Sequence, residues 1–290
     1  MTLRALAFGE TLIDEFPDRR VVAGAPLHVA AHLAALGWAA SIVGRVGDDP
    51  DGVWVRRIAG DLGVDGSLLQ IDSSLPTGTV QISLDPQGAP AFTISRPAAW
   101  DAIAPPEAGA ADVVYFGTLA QRHPRSRRAL RGLLDSTAAA LKVADVNLRP
   151  PDIDPMVIAA TVSDANLLKL SDEELVPVTA ALGLAPRIEA ILEAGPEWVC
   201  VTAGDRGATL ARRGGEIWAV EVDPVDVVDT VGAGDAFCAG LIDGIARRRE
   251  GAAVLQAATA LAGETVRRRG GLPPGTGSGE GASQSGPTQE

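Results

Sequence analysis

The chain has 290 residues, 46% of them hydrophobic, 21% charged and only 4% aromatic. That length admits one large domain or two small ones, with a substantial core built mostly of Ala, Val, Leu and Ile. A formal net charge of −12 argues against a nucleic-acid partner, because phosphate backbones need clustered Lys and Arg.

The N-terminal apolar run is broken by Glu10 and is too short for a signal-peptide core. No apolar stretch reaches membrane-spanning length, so a cytoplasmic protein is expected. In chain order, Leu3–Gly9 reads as a strand, Pro26–Leu36 as a helix and Ala39–Val46 as a strand. Gly52–Leu62 follows as a helix. Thr77–Asp85 and Ala91–Ser95, separated by PQGAP, alternate polar and apolar residues and read as a hairpin. Asp112–Phe116 is a strand, Ser126–Leu141 a helix, and Lys142–Val146 and Asn166–Leu170 are strands. Asp172–Leu182 and Arg187–Ala194 are helical, Trp198–Thr202 is a strand, and Arg212–Val222 is a second hairpin around RRGGE. Such alternation implies a mostly parallel sheet covered on both faces, with the first hairpin as an excursion placed to form a lid.

Smaller features read plainly. The basic runs Arg125–Arg131, Arg247–Arg249 and Arg267–Arg269 are short and suit helix ends and solvated faces. Cys200 and Cys238 sit in apolar segments and read as buried free thiols. From Leu272 onward, PPGTGSGEGASQSGPTQE has the composition of a disordered tail.

Several chemistries are excluded by missing motifs. There is no GxxxxGK[ST] loop, no CxxC, no HExxH and no GxSxG elbow. The dinucleotide fingerprint fails at Phe237, where its third glycine belongs.

The stretch DTVGAGD at 229–235 remains. Phe237, Leu241, Ile242 and Ile245 recur at helical spacing, so a helix begins near Gly234. Its free amides and positive dipole end point back over Gly232, Ala233 and Gly234, where small residues let an anion approach the backbone. Asp235 at that start could accept a proton from a hydroxyl attacking phosphorus. It could equally be a helix cap beside a glycine turn. The stretch alone leaves both readings open.

DTVGAGD resembles the C-terminal signature of the pfkB (ribokinase-like) carbohydrate kinases, and further resemblances follow in the family's order. GETLID at 9–14 is similar to the first strand, which ends in a sugar-binding aspartate. AGAPLHVAAHLAALG at 23–37 resembles the glycine-rich sugar turn and its helix, and GRVGDDPDG at 44–52 matches the usual continuation. RPAAWD at 96–101 and DVNLRPP at 145–151 look fructokinase-like. LKLSDEEL at 168–175 resembles the NxxE region, and TAGDRG at 202–207 the nucleotide-side TxGxxG turn. The landmarks span roughly residues 3–271.

The resemblance implies a ribokinase-like three-layer α/β/α fold with a mostly parallel central sheet and a small β lid. The kinase domain would occupy residues 1–271, with the lid drawn from about 10–22 and 77–97. It implies transfer of the γ-phosphate of ATP to a sugar hydroxyl. Asp235 would be the base, and the amides of Gly232, Ala233 and Gly234 would form the anion hole. Asp14, Gly24, Ala25, His28, Arg96 and Arg149 would bind the substrate. Lys169, Thr202, Gly204 and Gly207 would serve the nucleotide. Glu174 would hold Mg²⁺ through water, and Asp229 would help bind a monovalent cation such as K⁺. A homodimer through the lid is a further expectation of the same kind.

Three positions depart from the family pattern. Ala23 replaces the first of two paired glycines, His28 replaces an asparagine, and Ser171 replaces the NxxE asparagine. Ala23 is expected to add a methyl group where backbone and ligand approach closely. His28 and His32 share a helix face, but no third metal ligand is apparent, since His123 is remote. His28 is expected to face the sugar pocket, and His32 to be structural. The leading expectation is a fructokinase making the 6-phosphate. The alternatives are a kinase of another ketose, 2-keto-3-deoxygluconate, ribose or a nucleoside, and a sugar-binding regulator without catalysis.

Overall fold

The computed structural model describes residues 2–84, 90–139, 141–151, 153–274 and 280–282. Its strands are β1 (Arg4–Phe8), β2 (Leu12–Glu15), β3 (Arg19–Ala23), β4 (Ala39–Gly47), β5 (Leu69–Asp72), β6 (Gly78–Leu84) and β7 (Pro90–Ile94). They continue as β8 (Val113–Gly117), β9 (Leu141–Asp145), β10 (Leu167–Ser171), β11 (Trp198–Thr202), β12 (Ala208–Arg212), β13 (Glu216–Val220) and β14 (Glu280–Ala282). The helices are α1 (Ala25–Ala35), α2 (Pro50–Asp61), α3 (Pro124–Ser136) and α4 (Pro155–Asp164). They continue as α5 (Asp172–Ala181), α6 (Ile188–Ala194), α7 (Ala233–Ala246) and α8 (Gly251–Val266).

Nine strands form the main sheet in the order β13-β12-β11-β10-β9-β8-β1-β4-β5. The pairs from β5 through to β11 are parallel, whereas β12 and β13 run antiparallel at one edge. Strand β1 lies between β4 and β8, so the chain builds outward to one side of β1 and then to the other. In open α/β sheets, ligands bind beyond the strand C-termini at such a reversal.

Alternation along the strands feeds two cores. Ala5 and Ala7 of β1 pack under α1, α2, α7 and α8, while Leu6 and Phe8 pack under α3, α4, α5 and α6. Burial on both faces explains why these strands read as near-continuous apolar runs. The fold is the expected three-layer ribokinase-like arrangement. No helix among the described residues is long and apolar enough to cross a membrane.

A second sheet, ordered β14-β3-β2-β6-β7, forms the lid. The hairpin expected at 77–95 is β6 with β7, in register Val80 to Ile94; residues 85–89 of its connection lie outside the described residues. Lid and main body are tied together by charge and capping. Arg20 of β3 pairs with Glu15 and Asp51. Asp49, the cap of α2, accepts from the amide of Gly52 and from both the amide and the hydroxyl of Thr77.

Other details differ from the sequence-based expectations. Helix α3 ends at Ser136 rather than Leu141, because Leu141 already pairs with Val113 as the first residue of β9. The short strands β2 and β3 and the helices α4 and α8 escaped the periodicity reading of the chain. The tail boundary at 272 also shifts: Leu272 packs against the core and Glu280–Ala282 pairs antiparallel with β3. The remainder of the tail lies outside the described residues. Cys200 and Cys238 are buried and free.

Candidate active site

The stretch at 229–235 folds as a turn leading into α7. Gly232 is the cap of that helix, in the left-handed region at φ 73°, where a side chain would be strained. It could not carry a Cβ in any case, because the backbone of Gly271 fills that space. The Ala233 amide turns toward the Thr230 carbonyl at 3.3 Å, and the first helical bond runs from the Ala236 amide to the Gly232 carbonyl at 2.9 Å. The amides of Gly234 and Asp235 therefore precede the helical ladder, at the positive end of a 14-residue helix. The helix cap and the expected anion hole thus fall on the same turn.

A buried charge supports the floor of this turn. Lys169 on β10 lies 2.9 and 3.1 Å from the two oxygens of Asp145 on β9. A Cβ placed on Gly234 would sit 3.3 Å from the Lys169 ammonium. Burial works against the charge on Lys169, but Asp145 outweighs it and holds the ammonium's pKa above its ordinary value. Parallel pairing of β9 with β10, in register Lys169 to Asp145, brings these two residues together. Asp145 opens DVNLRPP, yet its role was not legible there.

The residues expected to bind the sugar come mainly from the second sheet and from α1 with its cap. Gly24, at φ 121°, caps α1, and a Cβ there would lie 2.5 Å from the Glu10 carbonyl and 3.1 Å from Thr11 Cα. The chain crosses the end of β1 at that contact, which only glycine permits. Ala23 places its methyl with Leu12 and Val80 in the small lid core, on the face of the second sheet that also carries Asp14. Asp14 sits on β2, opposite Val21 and Val80. Burial raises its pKa to about 6, against the pull of His28 and Arg149. Glu10 was quoted in the first motif without a role. It is 4% exposed, and burial raises its pKa to about 7 despite nearby Arg149 and Arg122. Glu10 Oε2 and Thr11 Oγ1 are buried without a hydrogen-bond partner among the described residues.

His28 joins the two sides. Its Nδ1 lies 2.8 Å from Asp235 Oδ2, and the ring is 5% exposed against 14% for Asp235. Burial opposes charge on this ring, but Asp235, Asp14 and the Val22 backbone outweigh it and raise its pKa. His32, one turn along, bonds through Nε2 to the Gly271 carbonyl at 2.9 Å. Burial lowers its pKa to about 4, so it is a neutral structural donor, as expected.

The remaining candidates scatter. Arg149 is exposed and donates to the Leu148 carbonyl, and its charge acts on Glu10 and Asp14. Arg96 is exposed at the end of the lid hairpin. The guanidinium packed beneath that hairpin is Arg122, which pairs with both oxygens of Asp101, donates to the Ser95 carbonyl and stacks 3.8 Å over Trp100. RPAAWD therefore anchors the lid through Trp100 and Asp101. Glu174 caps α5: its oxygens accept from the Ser171 amide at 2.8 Å and the Leu148 amide at 2.5 Å. Ser171 completes the capping box, which gives this departure a structural role. Asp229 accepts from the amides of Val231 and Gly270, each at 3.0 Å, and lies 3.8 Å from Arg19.

Of the residues expected to serve the nucleotide, Thr202 pairs with Ala208 across β11 and β12 and donates to the Leu170 carbonyl at 3.4 Å. The turn after it holds Gly204 and Gly207, both at positive φ. An open pocket of about 540 Å³ borders this turn, lined by Ala203, Arg206, Gly207, Val220 and Glu221 among others.

Known proteins resemble this chain over most of its length. The sequence profile described as pfkB family carbohydrate kinase matches residues 4–275. A fructokinase of Klebsiella pneumoniae is 33% identical over 260 residues, covering 82% of this chain and 83% of that protein. Aminoimidazole riboside kinase from Salmonella enterica, solved with aminoimidazole riboside and an ATP analog, superposes with a TM-score of 0.78. It is 25% identical and covers 92% of this chain and 95% of that one. A fructokinase double mutant of Vibrio cholerae O395, solved with fructose, ADP and a potassium ion, superposes with a TM-score of 0.79. It too is 25% identical, and it covers 93% and 94% of the two chains. With the motifs matched in order and the fold in agreement, the chain belongs to the pfkB family of carbohydrate kinases and is an ATP-dependent phosphotransferase of that class.

Proposed function

We propose that the protein phosphorylates fructose to fructose 6-phosphate, with Asp235 as the general base. The observation that carries this reading is the position of Asp235. Its carboxylate stands at the N-terminus of α7, beside the turn amides and opposite the Gly24 turn through His28. The acceptor hydroxyl gives its proton to Asp235 as its oxygen attacks the γ-phosphorus, and ADP departs with the bridging oxygen. The amides ahead of the α7 ladder and the Lys169 charge beneath Gly234 stabilise the transferring phosphoryl group. Asp14 and the Gly24 turn hold the sugar. The identity of the Klebsiella pneumoniae fructokinase favours fructose as the acceptor.

Mg²⁺ fits this site only at second hand. Both oxygens of Glu174 already accept a backbone amide, and among the described residues no group of three acidic, His or Cys side chains converges. An ion held mainly by nucleotide phosphates and water, with Glu174 orienting the water, suits these residues. Such an ion would neutralise charge on the nucleotide phosphates.

The second reading keeps the chemistry and changes the acceptor. His28, where the family has asparagine, favours it, as does the likeness to aminoimidazole riboside kinase. An ADP-release assay with fructose, ribose, 2-keto-3-deoxygluconate and nucleosides separates the two. Fructose is expected to give the highest kcat/KM, and a ribosyl compound ahead of it by tenfold would overturn the first reading.

A further inference from the structure

The two histidines of α1 are both buried; His28 reaches the base itself, and His32 reaches the segment at Gly271 that packs on the turn carrying it. His28 Nδ1 is 2.8 Å from Asp235 Oδ2. A carboxylate offers only acceptors, so the hydrogen belongs to Nδ1. His32 Nε2 donates to the Gly271 carbonyl at 2.9 Å. The backbone of Gly271 is wedged between the two structures: a Cβ on it would lie 2.6 Å from Gly232 Cα and 2.8 Å from His28 Cε1. Its neighbour Gly270 donates to Asp229 at the start of the same turn. Both ends of the 229–235 stretch are thus braced, Asp229 through Gly270 and Asp235 through His28.

The helix carrying both histidines starts at Gly24, whose backbone touches Glu10 and Thr11. A shift of the sugar turn therefore moves the His28 ring, and with it the oxygen it holds.

We propose that His28 is the positioning residue for the base: its Nδ1–H fixes Oδ2 of Asp235 and leaves Oδ1 to take the proton of the acceptor hydroxyl. His28 is not a catalytic residue in this scheme, because it acts on the reaction only through Asp235. The proposal rests on the reading of Asp235 as base, and the test keeps the two apart.

Geometry dictates the variants. An asparagine amide occupies the place of a histidine Nδ1 and can donate to Asp235, a glutamine amide reaches further, and alanine donates nothing. His28→Ala is expected to lower kcat by about 10-fold to 100-fold, a partial loss of what a placed base contributes, with KM for ATP unchanged. His28→Asn is expected to restore most of that loss and His28→Gln little of it. A purely packing role would not order the variants this way. In ¹⁵N-histidine NMR of the sugar-free protein, the Nδ1 of His28 is expected to be protonated and to shift in Asp235→Asn.

Wild-type kcat in His28→Ala overturns the proposal, as does a loss confined to the sugar KM. An unprotonated Nδ1 also overturns it. Should His28→Ala melt out of the folded state, the order of Asn over Gln decides. Full turnover in Asp235→Asn defeats the reading of the base itself, whatever residue 28 does.

Discussion

The two halves of the proposed site, for phosphate and for sugar, handle charge in different ways. Beneath the phosphate turn, Lys169 is locked to Asp145 and Glu174 to two backbone amides. On the sugar side, Glu10 and Asp14 are carboxyls pushed up to about 7 and about 6 by burial. Two polar atoms there, Glu10 Oε2 and Thr11 Oγ1, are buried with no partner among the described residues. The phosphate half is preorganised, because fixed dipoles and paired charges need no rearrangement as charge develops. The sugar half is left unsatisfied, and a buried polar group without a partner costs free energy that a hydroxyl-rich ligand can return. A site that leaves its own bonds unmade on one side gains specificity there.

Breaking the preorganised half should give the largest effects. Asp235→Asn keeps the shape of the side chain and removes the proton acceptor. Its kcat is expected to fall by about 10³–10⁴-fold, with nucleotide binding unchanged by calorimetry. Retained turnover would mean that phosphoryl transfer does not use this base. Lys169→Met comes next, since it strands a buried carboxylate. A loss of about 3–5 kcal/mol in urea unfolding is expected, and the double variant Lys169→Met/Asp145→Leu should regain most of it while staying inactive. If the double variant is active, Lys169 serves only the core.

The sugar half should respond through pH. Glu10 has a folded-state pKa raised from 4.5 to about 7, so its contribution to stability is full below about pH 4.5. It is lost as pH rises through about 7, where the buried carboxyl must ionise. Glu10→Gln cannot ionise. It should gain stability relative to wild type from pH 4.5 to pH 8, by about 2–3 kcal/mol. Equal urea midpoints for the two proteins at both pH values would contradict this burial effect. Ala23→Gly, which restores the family residue, should matter least. It removes a methyl from the lid core and adds strand flexibility, costing about 1 kcal/mol. The sugar KM should not move, and a KM that improved would place Ala23 against the ligand after all.

Local pattern carried much of this fold. The near-continuous apolar run of β1, the spacing of Phe237, Leu241 and Ile242, and the glycines of the 229–235 turn each act within a few residues. Hydrophobic period and turn chemistry therefore report them. Besides the helices α4 and α8, which the reading passed over, the elements that escaped are short strands whose identity depends on partners. Strands β2 and β3 have four and five residues and exist because β6 and each other pair with them. The end of α3 moved because β8 claims Leu141 for the sheet.

The sequence by itself determined the family, the parallel sheet, the turn at Gly232 and the candidate base, because all of these are written in residues that are neighbours along the chain. It could also name His28 as a departure. Only the tertiary structure decided what that departure touches. His28 and Asp235 are 207 positions apart and meet because α1 packs against α7 on one face of the sheet. The same packing decided the fate of Ala23, buried with Leu12 and Val80 on the Asp14 face of the lid, and of Glu10, buried where the lid crosses the end of β1. A sequence shows which groups can ionise or donate. Burial and partners, which set whether they do, arise only when distant segments close over one another.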